Sequence, residues 1–145
     1  MAIFLPSIIL TVVVGLAIAS QTQFAGILGQ HVGIMESVFI IHLGGFLISG
    51  IYLLIIGGGG LGAWKSAPWY VLCGGALGVM IVGGYAFVIP RIGLAPAITI
   101  AVASQLVFSA LLSHYGFLGA IQQPLTVSRI AGILVLLVGT WLIVR

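Results

Sequence analysis

Charge is what this chain has least of. Only 3% of its 145 residues are charged, four Lys or Arg and a single acid, Glu36. A water-facing surface normally carries about a quarter of charged residues or more, so a soluble globular domain is excluded. The four basic residues are scattered over predicted helix ends and form no patch, so a net charge of +3 does not point to nucleic acid. The one cysteine, Cys73, excludes an internal disulfide and reads as a small packing residue. His31, His42 and His114 stand on separate segments without a cysteine or carboxylate partner at ligand spacing. No phosphate loop, metal cluster or nucleophile–base pair is legible, which argues against an enzyme and against a cofactor or metal.

Apolar residues are what is abundant. The chain is 62% hydrophobic, with a mean hydropathy of +1.42. A spanning helix needs about 20 apolar residues. The pattern predicts an all-α integral membrane protein with one transmembrane domain over 1–145 and five spans, about 4–28, 34–56, 68–89, 94–113 and 125–144. The first segment has no basic leader and no small-residue cleavage site, and is expected to stay as the first span. Its apolar run is plain to Ala19; beyond it, Gln21-Thr22-Gln23 marks either the helix end near Ser20 or a polar band in a longer helix. A short loop is expected around Gln30-His31-Val32-Gly33, and Gly57 to Gly60 ends span two. Pro90 to Pro96 predicts a tight turn, because proline disfavours helix in the residue before it. Trp64, Lys65, Trp69 and Tyr70 suit the membrane–water boundary. Glycines 44, 45 and 50 on span two and 74, 78, 83 and 84 on span three predict close helix packing.

Five crossings put the chain's two ends on opposite sides of the bilayer. Lys65 and Arg129 then lie on the N-terminal side, Arg91 and Arg145 on the other. Lys and Arg in short loops set orientation, with the excess on the cytoplasmic side. A two-against-two split gives no reason to choose, so insertion in both orientations and antiparallel pairing is expected. No sequence repeat is visible within the chain, so an inverted repeat of the kind that builds many transporters would require a second chain.

Polar side chains inside a span are costly and mark candidate sites. Gln105 is central in span four, with Ser109 one turn on; it either bridges helices or meets cargo. His42, among Ile40, Ile41 and Leu43, is satisfied by a neighbouring helix or serves proton coupling or substrate contact, since histidines as a class titrate near neutral pH. Glu36 is a helix-start acid favoured by the dipole, or a proton carrier or counter-charge for a cationic substrate. Gln21, Thr22 and Gln23 line a cavity if span one is long or form an exit turn if it is short, and Tyr85 has either role. Arg129 is expected to snorkel to the headgroups.

These residues fall in an order that resembles the YdcZ-like, half-size, five-helix branch of the drug/metabolite transporter superfamily. The matching stretches are Gln21-Thr22-Gln23, Glu36-Ser37, His42-Leu43-Gly44-Gly45, Pro68-Trp69-Tyr70, Gly74-Gly75-Ala76-Leu77-Gly78, Pro90-Arg91-Ile92-Gly93, Gln105, His114-Tyr115-Gly116-Phe117-Leu118-Gly119, Pro124-Leu125 and Arg129-Ile130-Ala131-Gly132. Two positions depart: Ser104 stands where glycine is expected before Gln105, and Ser113 where an acid is expected before His114. The resemblance implies small-molecule or metabolite transport in a bacterial inner membrane, by dual-topology homodimers or paired chains of opposite orientation. It supplies no substrate. The even charge split favours the homodimer, with a second inverted copy and the lipid bilayer as partners. The expected site is His42 and Gln105, then Glu36 and Gln21, then Tyr85. The alternatives are a dual-topology channel, for which no charge ring or carbonyl filter is legible, and a non-transporting partner subunit of a membrane complex.

Overall fold

The computed structural model of the chain describes residues 4–145. It has five helices long and apolar enough to cross a membrane: α1 (Phe4–Val32), α2 (Ile34–Ile55), α3 (Gly74–Ile92), α4 (Leu94–Tyr115) and α5 (Val127–Val144). No strand occurs among the described residues. Short 3-10 turns at Leu61–Ser66 and Trp69–Cys73 lead into α3, and a third, Phe117–Gly119, follows α4. The chain forms two compact units, one through Arg91 and one from Ile92.

Several helix ends differ from the sequence expectation. Of the two ends expected for the first helix the structure takes the longer: it passes Ser20 and runs unbroken over 29 residues to Val32, beyond the expected limit near residue 28. It passes the polar band because the Ser20 and Thr22 hydroxyls donate back to the carbonyls of Leu16 and Ala19, both at 3.0 Å, so neither is left unsatisfied in lipid. The expected loop at Gln30–Gly33 shrinks to one residue, Gly33, at φ 107°, ψ 157°. The expected turn at Pro90 is likewise helical to Ile92, with only Gly93 (φ 87°, ψ 163°) outside. Pro90 stands in the last turn of α3, where one lost bond ends little. Pro96 is the third residue of α4, where a backbone N–H has no intrahelical acceptor to lose. Span four extends past residue 113 to Tyr115, closed by Gly116 in the left-handed region, whose N–H donates to Leu112 O. Span five begins at Val127 rather than Leu125, because Thr126 caps it by accepting from the Arg129 N–H at 3.3 Å.

In the first unit α1, α2 and α3 meet on small faces. Ala25, Val38, Val82 and Ala86 form the core, flanked by Ile34 and Ile41. A Cβ on Gly26 would come 2.9 Å from Ile89, and one on Gly29 3.1 Å from Ala86. Such proximity is how helices associate where lipid removes the hydrophobic drive. Of the glycines expected to pack, Gly78 and Gly83 do so against α2, whereas 44, 45, 50, 74 and 84 have nothing within 4 Å of an added Cβ. Outward positions are large and apolar, as at Leu54 (82% exposed) and Met80 (74%), which suits a surface solvated by acyl chains.

In the second unit α4 and α5 are tied by their connecting segment. Gln123 N–H donates to Ser113 O at 2.7 Å, and Leu125 N–H to His114 Nδ1 at 3.2 Å. The His114 ring packs edge-on to Tyr115, which stacks on Phe117. His114 is therefore a structural histidine that anchors the connection.

Candidate membrane-embedded site

The inward stripe of α2 runs Ile34, Ser37, Val38, Ile41, His42, the spacing of a single helix face. It carries two polar groups into the first unit. Ser37 is fully buried and donates from Oγ to Ala25 O on α1 at 3.2 Å. His42 is half-buried, with Nδ1 2.8 Å from Val38 O. A carbonyl only accepts, so Nδ1 carries the proton, and in the neutral ring Nε2 is an acceptor. That nitrogen lies against α3 at Gly78, where an added Cβ would come within 3.0 Å of it. Glycine at 78 is thus what leaves room for the imidazole edge between α2 and α3.

Tyr85 is half-buried on α3. It shares a face with Gly78 about two turns away. On α1, the polar band divides: Thr22 is buried, Gln23 half-buried and Gln21 exposed. The antiparallel register set by Ala25 and Ser37 brings Thr22 within about one turn of the level of His42. Glu36 is the third residue of α2, exposed, with its carboxylate folded back over Gly33. That is the helix-start placement, favoured by the dipole. Gln21, Glu36, His42 and Tyr85 all belong to the first unit, and no two of them are hydrogen-bonded to each other among the described residues. Gln105 belongs to the second unit and is exposed on α4. Sequence reasoning missed Ser37, whereas Thr22 belongs to the polar band that a long first helix turns inward. The place of Ser37 on the inward face of α2, beside Val38, was the available signal. No group of three or more His, Cys, Asp or Glu that could hold a metal occurs among the described residues.

Five apolar helices, sparse polar groups turned between them and boundary residues at their ends define a multi-pass helical membrane protein. The model of the family described as "Putative inner membrane exporter, YdcZ" matches residues 6–142. The chain belongs to that YdcZ family, and is a multi-pass protein of the inner membrane. Neither a curated protein nor a solved structure matches it.

Proposed function

We propose that the chain exports a small molecule or metabolite by alternating access, as a homodimer of two copies inserted in opposite orientations. Transport rather than catalysis follows from the exporter family to which it belongs. The observation that carries the site is His42: its Nδ1 is tied to its own helix, and Nε2 is left as an acceptor at the glycine gap on α3. A histidine held this way can take a proton or a substrate donor at one defined atom. Gln105 is the second substrate contact, with Glu36, Gln21 and Tyr85 as further members. The antiparallel pairing is supported by the two-against-two split of Lys65 and Arg129 against Arg91 and Arg145, and by the odd number of spans.

Two experiments test this. The purified protein is screened for thermal stabilisation by small metabolites and drugs; His42→Ala and Gln105→Ala should each abolish the shift given by a hit while leaving the dimer intact. Loss of the dimer in both variants would make these residues packing groups. For topology, the exposed Cys73 is replaced by Ala and one cysteine is placed after Arg145. A membrane-impermeant thiol reagent should label about half of the protein in intact cells, because equal basic counts leave orientation undirected. All-or-none labelling would refute dual topology.

A further inference from the structure

The second unit contains a feature that the export site does not use. A groove of about 510 Å³ runs between α4 and α5. Its walls are mostly aliphatic, with Leu106 and Leu136 at depth, and Ser109, Ser113, Gln123 and Arg129 add polar groups. Arg129 is in the first turn of α5 and Ser113 in the last turn of α4, so both lie at one mouth. Leu106 and Leu136 are each seven residues further into the span, about 10 Å deeper.

The Arg129 guanidinium donates to Gln123 Oε1 at 2.6 Å and to Pro124 O at 3.4 Å. Both acceptors are neutral. Three of its five N–H groups and its whole charge remain uncompensated. The chain's one acidic side chain, Glu36, is folded over Gly33 in the first unit. The Ser109 and Ser113 hydroxyls make no hydrogen bond among the described residues. A cation and spare hydroxyl donors at the mouth of an aliphatic groove match an anion joined to a hydrocarbon chain.

We propose that this groove holds one acyl chain of an anionic phospholipid, with the lipid phosphate on Arg129. A free phosphate would satisfy the guanidinium but leave the aliphatic walls uncovered. A zwitterionic lipid would fill the walls but bring its own cation to the mouth. Basic pockets between transmembrane helices are a recurring solution to anionic headgroup binding.

The test is native mass spectrometry of the detergent-purified full chain. It is titrated with phosphatidylglycerol or phosphatidylcholine of identical acyl chains, with and without excess inorganic phosphate. Phosphatidylglycerol should be held about fivefold more tightly, the effect of one basic residue on an anionic headgroup. Arg129→Gln should erase that preference. Gly132→Leu should reduce retention of both lipids, because it fills the groove from α5 at a position where an added Cβ meets nothing within 4 Å. Equal retention of the two lipids by the unaltered protein would overturn the proposal. So would a preference that survives Arg129→Gln, lipid retention unchanged by Gly132→Leu, or displacement of phosphatidylglycerol by inorganic phosphate. The comparison of lipids on the unaltered protein is decisive even if a variant fails to fold.

Discussion

The joints before α2 and α4 use the same backbone device with different side chains. Each is a single glycine, Gly33 or Gly93, in the extended positive-φ region, and each is followed by a helix of 22 residues. Each accepts a backbone bond from the residue four on, Ser37 N–H at 3.0 Å and Ala97 N–H at 3.3 Å. Two residues earlier stands a nitrogen-bearing side chain, His31 or Arg91, that bonds the carbonyl four residues back. Burial repeats at the same spacing: Thr22 with Val82, Gly26 with Ala86, Ser37 with Ala97. The joints also differ at the start of the following helix. After Gly33 come Glu36 and the bonded Ser37; after Gly93 come Pro96 and Ala97. The shared part is what backbone sterics demand, and the variable part is where the two joints acquire separate chemistry.

That comparison breaks most sharply at Gly33. Its φ and ψ lie in a region essentially reserved for glycine, where another residue costs about 1–3 kcal/mol. An added Cβ would also fall on the Glu36 carboxylate. Gly33→Ala should therefore destabilise by about 3 kcal/mol, read by SDS titration of the detergent-solubilised protein. Glu36→Ala alone should change stability by less than about 0.5 kcal/mol, as surface changes usually do. In the Gly33→Ala background it should recover about 1 kcal/mol, since contacting residues couple on this scale. Simple additivity of the two changes would show that Glu36 plays no part in the strain at this joint.

Gly93 has the same backbone demand without the crowding. The nearest atom to an added Cβ is Pro96 Cδ at 3.8 Å, an ordinary contact. Gly93→Ala should cost about 2 kcal/mol from backbone strain alone. If Gly93→Ala proved as costly as Gly33→Ala, the distinction between strain and crowding would fail.

The five spans were legible because lipid demands about 20 apolar residues per crossing, and little else in the chain interrupts that signal. Their ends were less so. Ser20 and Thr22 look like an exit from the membrane, yet both hydroxyls are satisfied within α1. Pro90 looks like a stop, yet at the last turn it forfeits little. The joint repeat escapes sequence comparison because only the glycine is shared in identity. His31-Val32-Gly33-Ile34 and Arg91-Ile92-Gly93-Leu94 match in kind. Glycine pairs on α2 and α3 stand out by their spacing, but the closest approach between helices is at Gly26 on α1, where an added Cβ would come 2.9 Å from Ile89, and only the facing residue reveals it. His42 stands out in sequence because imidazole is rare inside a span. Ser37 does not, because a serine is cheap in any helix until its face is known. The bond between Leu125 N–H and His114 spans a connection whose path no local pattern specifies.

Ser37 also supplies the smallest test of the comparison. It occupies the position of Ala97 in the other joint, and its hydroxyl hydrogen-bonds α2 to α1. Removing it leaves no void larger than an oxygen. The acceptor, Ala25 O, lies inside α1, where helical geometry gives it a backbone partner as well. Hydrogen bonds between helices in a membrane average about 0.6 kcal/mol, because the separated helices also find partners. Ser37→Ala should therefore cost about that much in the same SDS titration and leave the first joint energetically like the second. A loss of about 2 kcal/mol or more would exceed the largest such bonds measured in membranes. The hydroxyl would then be holding the register of α1 against α2, and with it the relative level of Thr22 and His42.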